Sequence, residues 1–297
     1  MGTFFKQIYR YTHPRAYRHN ENLWPYVKIS RASTGEINSL IYKKQPVPVI
    51  ALSELKGAFA GEILLTATGP SVKEIAFEKL PDMPAFGVNG SYYLNEKVNF
   101  SFYLIVDMGF IDERPDIVQK VIADDQLILF TTVHGIVRIL DKFSLNSVKC
   151  RLSVIEDISC KVFHPKISHK DLFKSYSNIN TISFSGQEIG FNSDICYGIF
   201  DAGTVIYWSF QLLLFLGFNF IYIIGLDMNN FDQPRFYENP AEKQPSMLSH
   251  KLHDIIIPSF RHASKIMQEN KITVLNLSVM SAIDEEIFKK ANYNELF

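Results

Sequence analysis

Short apolar runs recur along the chain and alternate with longer stretches of helical periodicity. Ile63–Ala67, Pro84–Val88, Phe102–Val106, Leu127–Thr131, Phe220–Ile224 and Thr273–Leu277 are strand-length and rich in β-branched or aromatic residues. Between them, Val72–Lys79, Arg114–Ala123, Thr204–Leu216 and Leu252–Glu269 have helical length, the last kinked or broken at Pro258. This alternation predicts βαβ units: an α/β fold of the Rossmann type with a mainly parallel, twisted sheet and helices on both faces. One stretch tests the reading. Thr204–Met228 has Asp227 as its sole charge and resembles a membrane span by hydropathy. Gly217 interrupts it, and the run after the break is strand-like. A buried helix, a glycine stop and a buried strand are therefore expected.

The pattern also suggests boundaries. Residues 1–58 read as an N-terminal appendage, and 59–297 as the main domain. The mixed, polar stretch 141–190 reads as a small subdomain or lid. Net charge is −1, so no overall basicity points to nucleic acid. The first 31 residues differ: Lys6, Arg10, Arg15, Arg18, Lys28 and Arg31 face one acid, Glu21, and are interleaved with Phe4, Phe5, Tyr9, Tyr11, Tyr17, Trp24 and Tyr26. Such a segment suits an anionic membrane surface, or is an ordinary solvated surface. Three cysteines without close pairing fit a reducing compartment, and Met1–Arg10 lacks the apolar run of a signal peptide. A cytoplasmic protein is expected.

Candidate chemistry gathers where the expected strands end. The first runs into Thr66-Ala67-Thr68-Gly69-Pro70-Ser71, with Ser71 and Glu74 spaced as a capping box. A glycine turn opening a helix offers free N–H groups to an anion, though a plain capped helix has the same sequence. The second ends in Val88-Asn89-Gly90, a polar reader or an ordinary turn, and the third in Val106-Asp107, a ligand acceptor or a helix cap. Asp194 follows Gly190-Phe191-Asn192-Ser193, and Asp201-Ala202-Gly203-Thr204 leads into the buried helix. Asp227 ends the strand after it. His250 and His253 share a helix face, as general bases or as polar surface; no third metal ligand accompanies them. No D-x-D pair occurs, which disfavours a metal-held diphosphate.

In this order, the pieces resemble bacterial sialyltransferases of the Campylobacter and Pasteurellaceae surface-glycan type. The matching residues are Gly69-Pro70-Ser71-Val72-Lys73-Glu74-Ile75, then Asn89, then Gly203-Thr204-Val205 through Gly225-Leu226-Asp227. The chain is more similar still to the lipopolysaccharide-core transferase family that adds a third 3-deoxy-manno-octulosonic acid (Kdo). That resemblance adds Val88-Asn89-Gly90-Ser91, Gly190 to Ile195, Arg235-Phe236-Tyr237 and Pro245-Ser246-Met247-Leu248-Ser249. It implies a GT-A-like inverting glycosyltransferase with a CMP-activated acidic sugar as donor substrate, a lipid-linked oligosaccharide as acceptor, and no metal or other cofactor. Its place would be peripheral, on the inner face of the bacterial inner membrane. Thr68, Gly69, Pro70, Ser71, Asn89, Gly90, Asp107, Gly203, Thr204 and Asp227 would hold the donor. Arg235 and Tyr237 would contact sugar or phosphate. His250, His253, Asp194 and Asp201 are the candidate bases. The sialyltransferases carry an arginine before the position of Gly203, where this chain has Phe200. The alternatives are a sialyltransferase of the same fold, a pyrophosphokinase-like enzyme needing ATP and Mg²⁺, and a non-enzymatic nucleotide-binding scaffold.

Overall fold

The computed structural model of the protein describes residues 3–229, 231–241, 243–244 and 248–297. The N-terminal helix Thr3–Thr12 buries Tyr9 and sets Phe5 edge-on to Trp24 and Tyr26. Three antiparallel strands follow: β1 (Val27–Arg31), β2 (Ile37–Tyr42) and β3 (Gln45–Val47). Their period-two alternation turns Val27, Leu40 and Val47 inward and polar neighbours outward.

The main sheet starts with β4 (Glu62–Thr66), β5 (Ala85–Val88), β6 (Phe100–Leu104), β7 (Ile128–Thr131) and β8 (Arg151–Val154). A separate hairpin, β9 (Ile182–Ser185) and β10 (Ile189–Asn192), interrupts it. Then come β11 (Phe220–Ile224), β12 (Thr273–Asn276) and β13 (Lys289–Lys290). The order is β13-β12-β11-β4-β5-β6-β7-β8, with every neighbouring pair parallel. The chain thus winds one way from β4 to β8, then returns to lay β11 on the other flank of β4. That reversal opens a crevice between the carboxyl ends of β4 and β11, the usual ligand position in such sheets.

Side chains alternate between two cores. Ile63, Leu65, Phe86, Phe130, Ile221 and Ile223 face the helices Val205–Leu216 and Ile257–Glu269. Leu64, Tyr103, Leu129, Leu152 and Ile224 face the helices Pro115–Ala123 and Val133–Lys142. Strands covered on both faces explain the continuous apolar runs. The apolar stretch near the middle of the chain divides as expected. The helix Val205–Leu216 is almost wholly buried and stops at Gly217 (φ +106°), where a Cβ would lie 2.4 Å from the Phe59 carbonyl. At 1.5 Å per residue its 12 residues span about 18 Å, well short of a bilayer. Among the described residues no helix is long and apolar enough to cross a membrane.

Two expected helices differ. Val72–Lys79 is not an α-helix but two 3-10 turns, Pro70–Glu74 and Phe77–Lys79. The Ser71–Glu74 capping box does not form, because the Ser71 side chain bonds across the crevice instead. Leu252–Glu269 opens with a π turn at Leu252–Ile256, and the α-helix begins at Ile257. Pro258 falls in its first turn, where a missing N–H costs nothing. The stretch 141–190 contributes β8, an edge of the main sheet, as well as the helix His169–Tyr176. The structure adds the helix Met108–Glu113, whose N-cap is Asp107.

Candidate active site

A cavity of about 770 Å³ lies at the carboxyl ends of the main sheet, centred on the crevice between β4 and β11. The strands β4 to β8 and β11 deliver the starts of their following loops to the rim. The loop after β4 brings Thr68, Gly69 and Pro70, the loop after β5 brings Asn89, and that after β6 brings Asp107. Thr132 and His134 come from beyond β7, Asp157 from beyond β8, and Asp227 from beyond β11. Asp201, Gly203, Thr204 and Trp208 come from the buried helix and its approach, and Arg235, Glu238 and Lys251 from the segment after β11.

The glycine turn is clamped from the far side of the crevice. The Gly69 amide donates to the Gly225 carbonyl at 2.9 Å, and the Ser71 amide donates to Asp227 Oδ2 at 2.9 Å. The Ser71 hydroxyl bonds Asp227 Oδ1 and also meets Ser278 Oγ at 2.9 Å. Asp227 is therefore a strut between the two strand ends. Gly69 has an ordinary φ of −66°, so its requirement is steric: a Cβ would sit 2.4 Å from Asp227 Oδ2 and 2.6 Å from the Gly225 carbonyl. Gly90 is equally confined. Its Cβ position falls 2.1 Å from the ring of Tyr237, which stacks on Tyr93 at 5.5 Å and lies under the Arg114 guanidinium. Tyr237 is thus a packing partner of the Asn89–Gly90 turn and does not line the cavity.

Asn89 sits in the left-handed region at φ +46°, its carbonyl held by the Tyr103 hydroxyl at 2.6 Å. Its side-chain Oδ1 is buried with no hydrogen-bond partner. Asn89 lines the cavity, and a buried acceptor without a partner is costly. Asp107 caps its helix by accepting from the Gly109 amide at 2.8 Å. Asp201 Oδ1 accepts from the Trp208 indole at 2.9 Å. Gly203 (φ +73°) and the N-cap Thr204 present the start of the Val205–Leu216 helix to the cavity, the positive end of its dipole. Lys251 lies beside them, with Nζ 3.4 Å from where a Gly203 Cβ would be. Arg235 is engaged with Glu238 at 2.6 Å.

Asp157 has the most distinctive electrostatics. Burial pushes its carboxyl above the usual carboxylate range, and the nearby Asp201 pushes the same way. Its Oδ1 accepts from the Ser159 amide at 2.7 Å, which opposes that rise. Burial likewise pushes His134 down, and its Nε2 lies 2.8 Å from the His19 carbonyl. A carbonyl can only accept, so that nitrogen carries a proton, a bond that opposes the lowering.

Not every expected residue gathers here. His250 and His253 are exposed and outside the lining. Asp194 also lies outside, paired with Lys56 at 2.6 Å and capping the turn Ile195–Tyr197. Phe200, at the site of the missing arginine, is buried with its ring 2.3 Å from the Cβ position of Gly190, which accounts for that glycine. Pro245, Ser246 and Met247 lie outside the described residues. Asp157, Thr132, His134 and Lys251 were not singled out from sequence. A signal existed for Asp157: Ile155-Glu156-Asp157 repeats the apolar-strand-then-Asp pattern of Val106-Asp107 and Leu226-Asp227.

The fold is α/β, and the family to which the chain belongs makes it a glycosyltransferase. The chain belongs to the 3-deoxy-D-manno-octulosonic acid transferase WaaZ family, whose model matches residues 51–293. It is 27% identical over 251 residues to a probable 3-deoxy-manno-octulosonic acid transferase of Salmonella typhimurium, covering 80% of this chain and 89% of that one. A protein of the same description from Escherichia coli K12 is 24% identical over 253 residues, covering 78% and 83%. Among solved structures, the sialyltransferase CstII from Campylobacter jejuni in complex with a substrate analogue, cytidine-5'-monophosphate, aligns with a TM-score of 0.41 and 15% identity over 78% of this chain and 85% of that one. The sialyltransferase CST-II in complex with trisaccharide acceptor and CMP aligns at 0.41 and 19% over 78% and 87%.

Proposed function

We propose that this protein transfers Kdo from CMP-Kdo to a lipid-linked lipopolysaccharide-core acceptor, with inversion at the anomeric carbon and without a metal. The observation that carries the reading is one cavity lined by three complementary features: Asn89 with its unpartnered amide oxygen, the positive end of a helix dipole at Gly203–Thr204, and the raised carboxyl of Asp157. The Asn89 oxygen takes a hydrogen-bond donor of the cytidine. The helix start and Lys251 face the phosphate, whose negative charge grows as it leaves. Asp157, ionised, accepts the proton of the acceptor hydroxyl while that oxygen bonds to the anomeric carbon and the bond to CMP breaks. Asp201 stands by the same space and can offset positive charge on the sugar. Positive charge from the protein does the work a metal does for a diphosphate.

The reading extends to location: peripheral attachment to the anionic cytoplasmic face of the inner membrane. It is supported by exposed Phe4 and Tyr11, 66% and 91% accessible, together with exposed Arg15 and Arg18 in the same N-terminal segment. Thermal unfolding with CMP, UDP or ATP, each with and without EDTA, tests the donor site. Ligand at 100 times its Kd stabilises by about 2.7 kcal/mol, a shift of a few degrees. Stabilisation by CMP that survives EDTA is expected. A response to ATP with Mg²⁺ alone, or to none, would sink the reading.

A further inference from the structure

The loop that presents Asp157 is closed by a residue from outside the family-matched region, which begins at residue 51. After β8 the chain is laced on one side to residue 199: the Ile199 amide donates to the Glu156 carbonyl at 2.8 Å, and the Ile158 amide to the Ile199 carbonyl at 2.9 Å. On the other side stands Arg31, the last residue of β1. Its Nη1 donates to Glu156 Oε2 at 2.5 Å and to the Gly35 carbonyl at 3.0 Å. Its Nη2 donates to Glu156 Oε1 at 2.8 Å and to the Val162 carbonyl at 3.0 Å. Glu156 Oε1 also accepts from the Val162 amide at 2.9 Å, so one ion pair ties both ends of the 156–162 loop together.

We infer that Arg31 is a positioning residue for the transfer, holding the 156–162 loop in the shape that presents Asp157 to the acceptor hydroxyl. The inference rests on the reading of Asp157 as the base. A planar guanidinium that satisfies a carboxylate in two places and a carbonyl from each of its two terminal nitrogens fixes direction as well as distance. Glu156 is only 7% exposed, so without Arg31 its charge is left buried and unpaired and must turn toward water. The loop opens with it, and Asp157 becomes hydrated. Neighbouring contacts brace the chain just after the loop from the same appendage: the Phe163 amide donates to Asn20 Oδ1 at 3.0 Å, and the Lys166 amide to the Ala16 carbonyl at 2.8 Å. The charged groups acting directly on Asp157 are Asp201 and His169, which Arg31 does not touch. A change in Asp157 on removal of Arg31 therefore reports hydration through the loop.

The test uses full-length protein with CMP-Kdo and compares Arg31→Ala, Arg31→Lys and Asp157→Asn with the parent across pH. Arg31→Ala is expected to lower kcat by about 10²-fold, as a small displacement of a reacting group does. KM for CMP-Kdo should stay within about twofold. The acid limb of the pH profile should move to lower pH, because burial is the main cause that raised Asp157. Arg31→Lys keeps the charge without the fork and should fall between; it also serves if Arg31→Ala does not fold. Unchanged kcat and an unmoved limb, with Asp157→Asn inactive, would overturn the role of Arg31 alone. Loss of kcat with the limb in place would reduce Arg31 to general support and equally overturn it. Full activity in Asp157→Asn would remove the base reading, and this inference with it.

Discussion

Gly69→Ala isolates the geometry of the crevice from its chemistry. The backbone at Gly69 (φ −66°, ψ 159°) suits alanine, so the substitution adds one methyl group without torsional strain. That methyl would lie 2.4 Å from Asp227 Oδ2, 2.6 Å from its Cγ and 2.6 Å from the Gly225 carbonyl. Ordinary contact needs nearly an ångström more. Asp227 could swing aside, but the Gly225 carbonyl is backbone and accepts from the Gly69 amide itself. The turn must therefore withdraw, breaking the Gly69–Gly225 bond and loosening Ser71 from Asp227. Overpacking of this kind costs about 1–3 kcal/mol, and a buried donor stripped of its partner a further 1–3 kcal/mol. A loss of roughly 2–6 kcal/mol corresponds to a fall of about 4–12 °C in Tm for a domain near this size. Displacement of the turn by about 1 Å should cost on the order of 10²-fold in kcat/KM. Differential scanning fluorimetry and initial-rate measurements on the purified variant read both. A Tm within a degree of the parent, together with unaltered kcat/KM, would refute the clamp and the idea that it shapes the donor site.

Further outcomes follow from the same structure. Asp157→Asn should lower kcat by about 10²–10⁴-fold. In the parent, activity should fall as pH drops through a limb lying above the ordinary carboxylate value of about 4. Its folded pKa exceeds the unfolded one, so the stabilisation from the protonated carboxyl is complete at low pH and is lost as pH rises through the raised value; Asp157→Asn should then be more thermostable than the parent at neutral pH and not in acid. Asn89→Gly keeps the left-handed backbone and removes the amide, and isothermal titration should find CMP bound about five- to tenfold more weakly, the worth of one hydrogen bond. Lys251→Ala should raise KM for the donor, with a larger effect at low ionic strength than at high. His250→Ala and His253→Ala, being surface changes outside the cavity, should leave kcat/KM within about twofold.

The sheet was legible because its strands are buried on both faces. Ile63–Ala67, Leu127–Thr131 and Phe220–Ile224 each read as unbroken apolar runs, and the glycine at 217 marks the break between helix and strand in a stretch that by hydropathy alone resembles a membrane span. Much of the cavity was legible for a related reason: parallel strands must deliver their carboxyl ends to one rim, so a polar residue just past an apolar run, such as Asn89 or Asp107, falls on it. What escaped depends on partners distant in sequence. Ser71 looks like a helix cap until Asp227 arrives from 156 residues away and takes its hydroxyl and its amide. Gly69 and Gly90 look like ligand-facing glycines, whereas Asp227 and Tyr237 fill the space beside them. The short strands β1 to β3 have one buried face and many polar residues, so they read as an undivided appendage. Asp157 is raised by burial, and burial in a loop is not written in its neighbours. His250 and His253 drew attention by their spacing alone, which Lys251 between them lacks, although Lys251 is the one that reaches the cavity.

The most direct test of the account is turnover. Purified protein is incubated in EDTA with CMP-Kdo, and in parallel with CMP-sialic acid, together with a Kdo-bearing lipopolysaccharide-core acceptor, and CMP release and product mass are followed for the parent and for Asp157→Asn. The account predicts a product heavier by one Kdo residue from CMP-Kdo alone, with inverted anomeric configuration, and its near-complete loss in Asp157→Asn. Transfer of sialic acid in preference to Kdo, a requirement for divalent metal, or full activity in Asp157→Asn would contradict it.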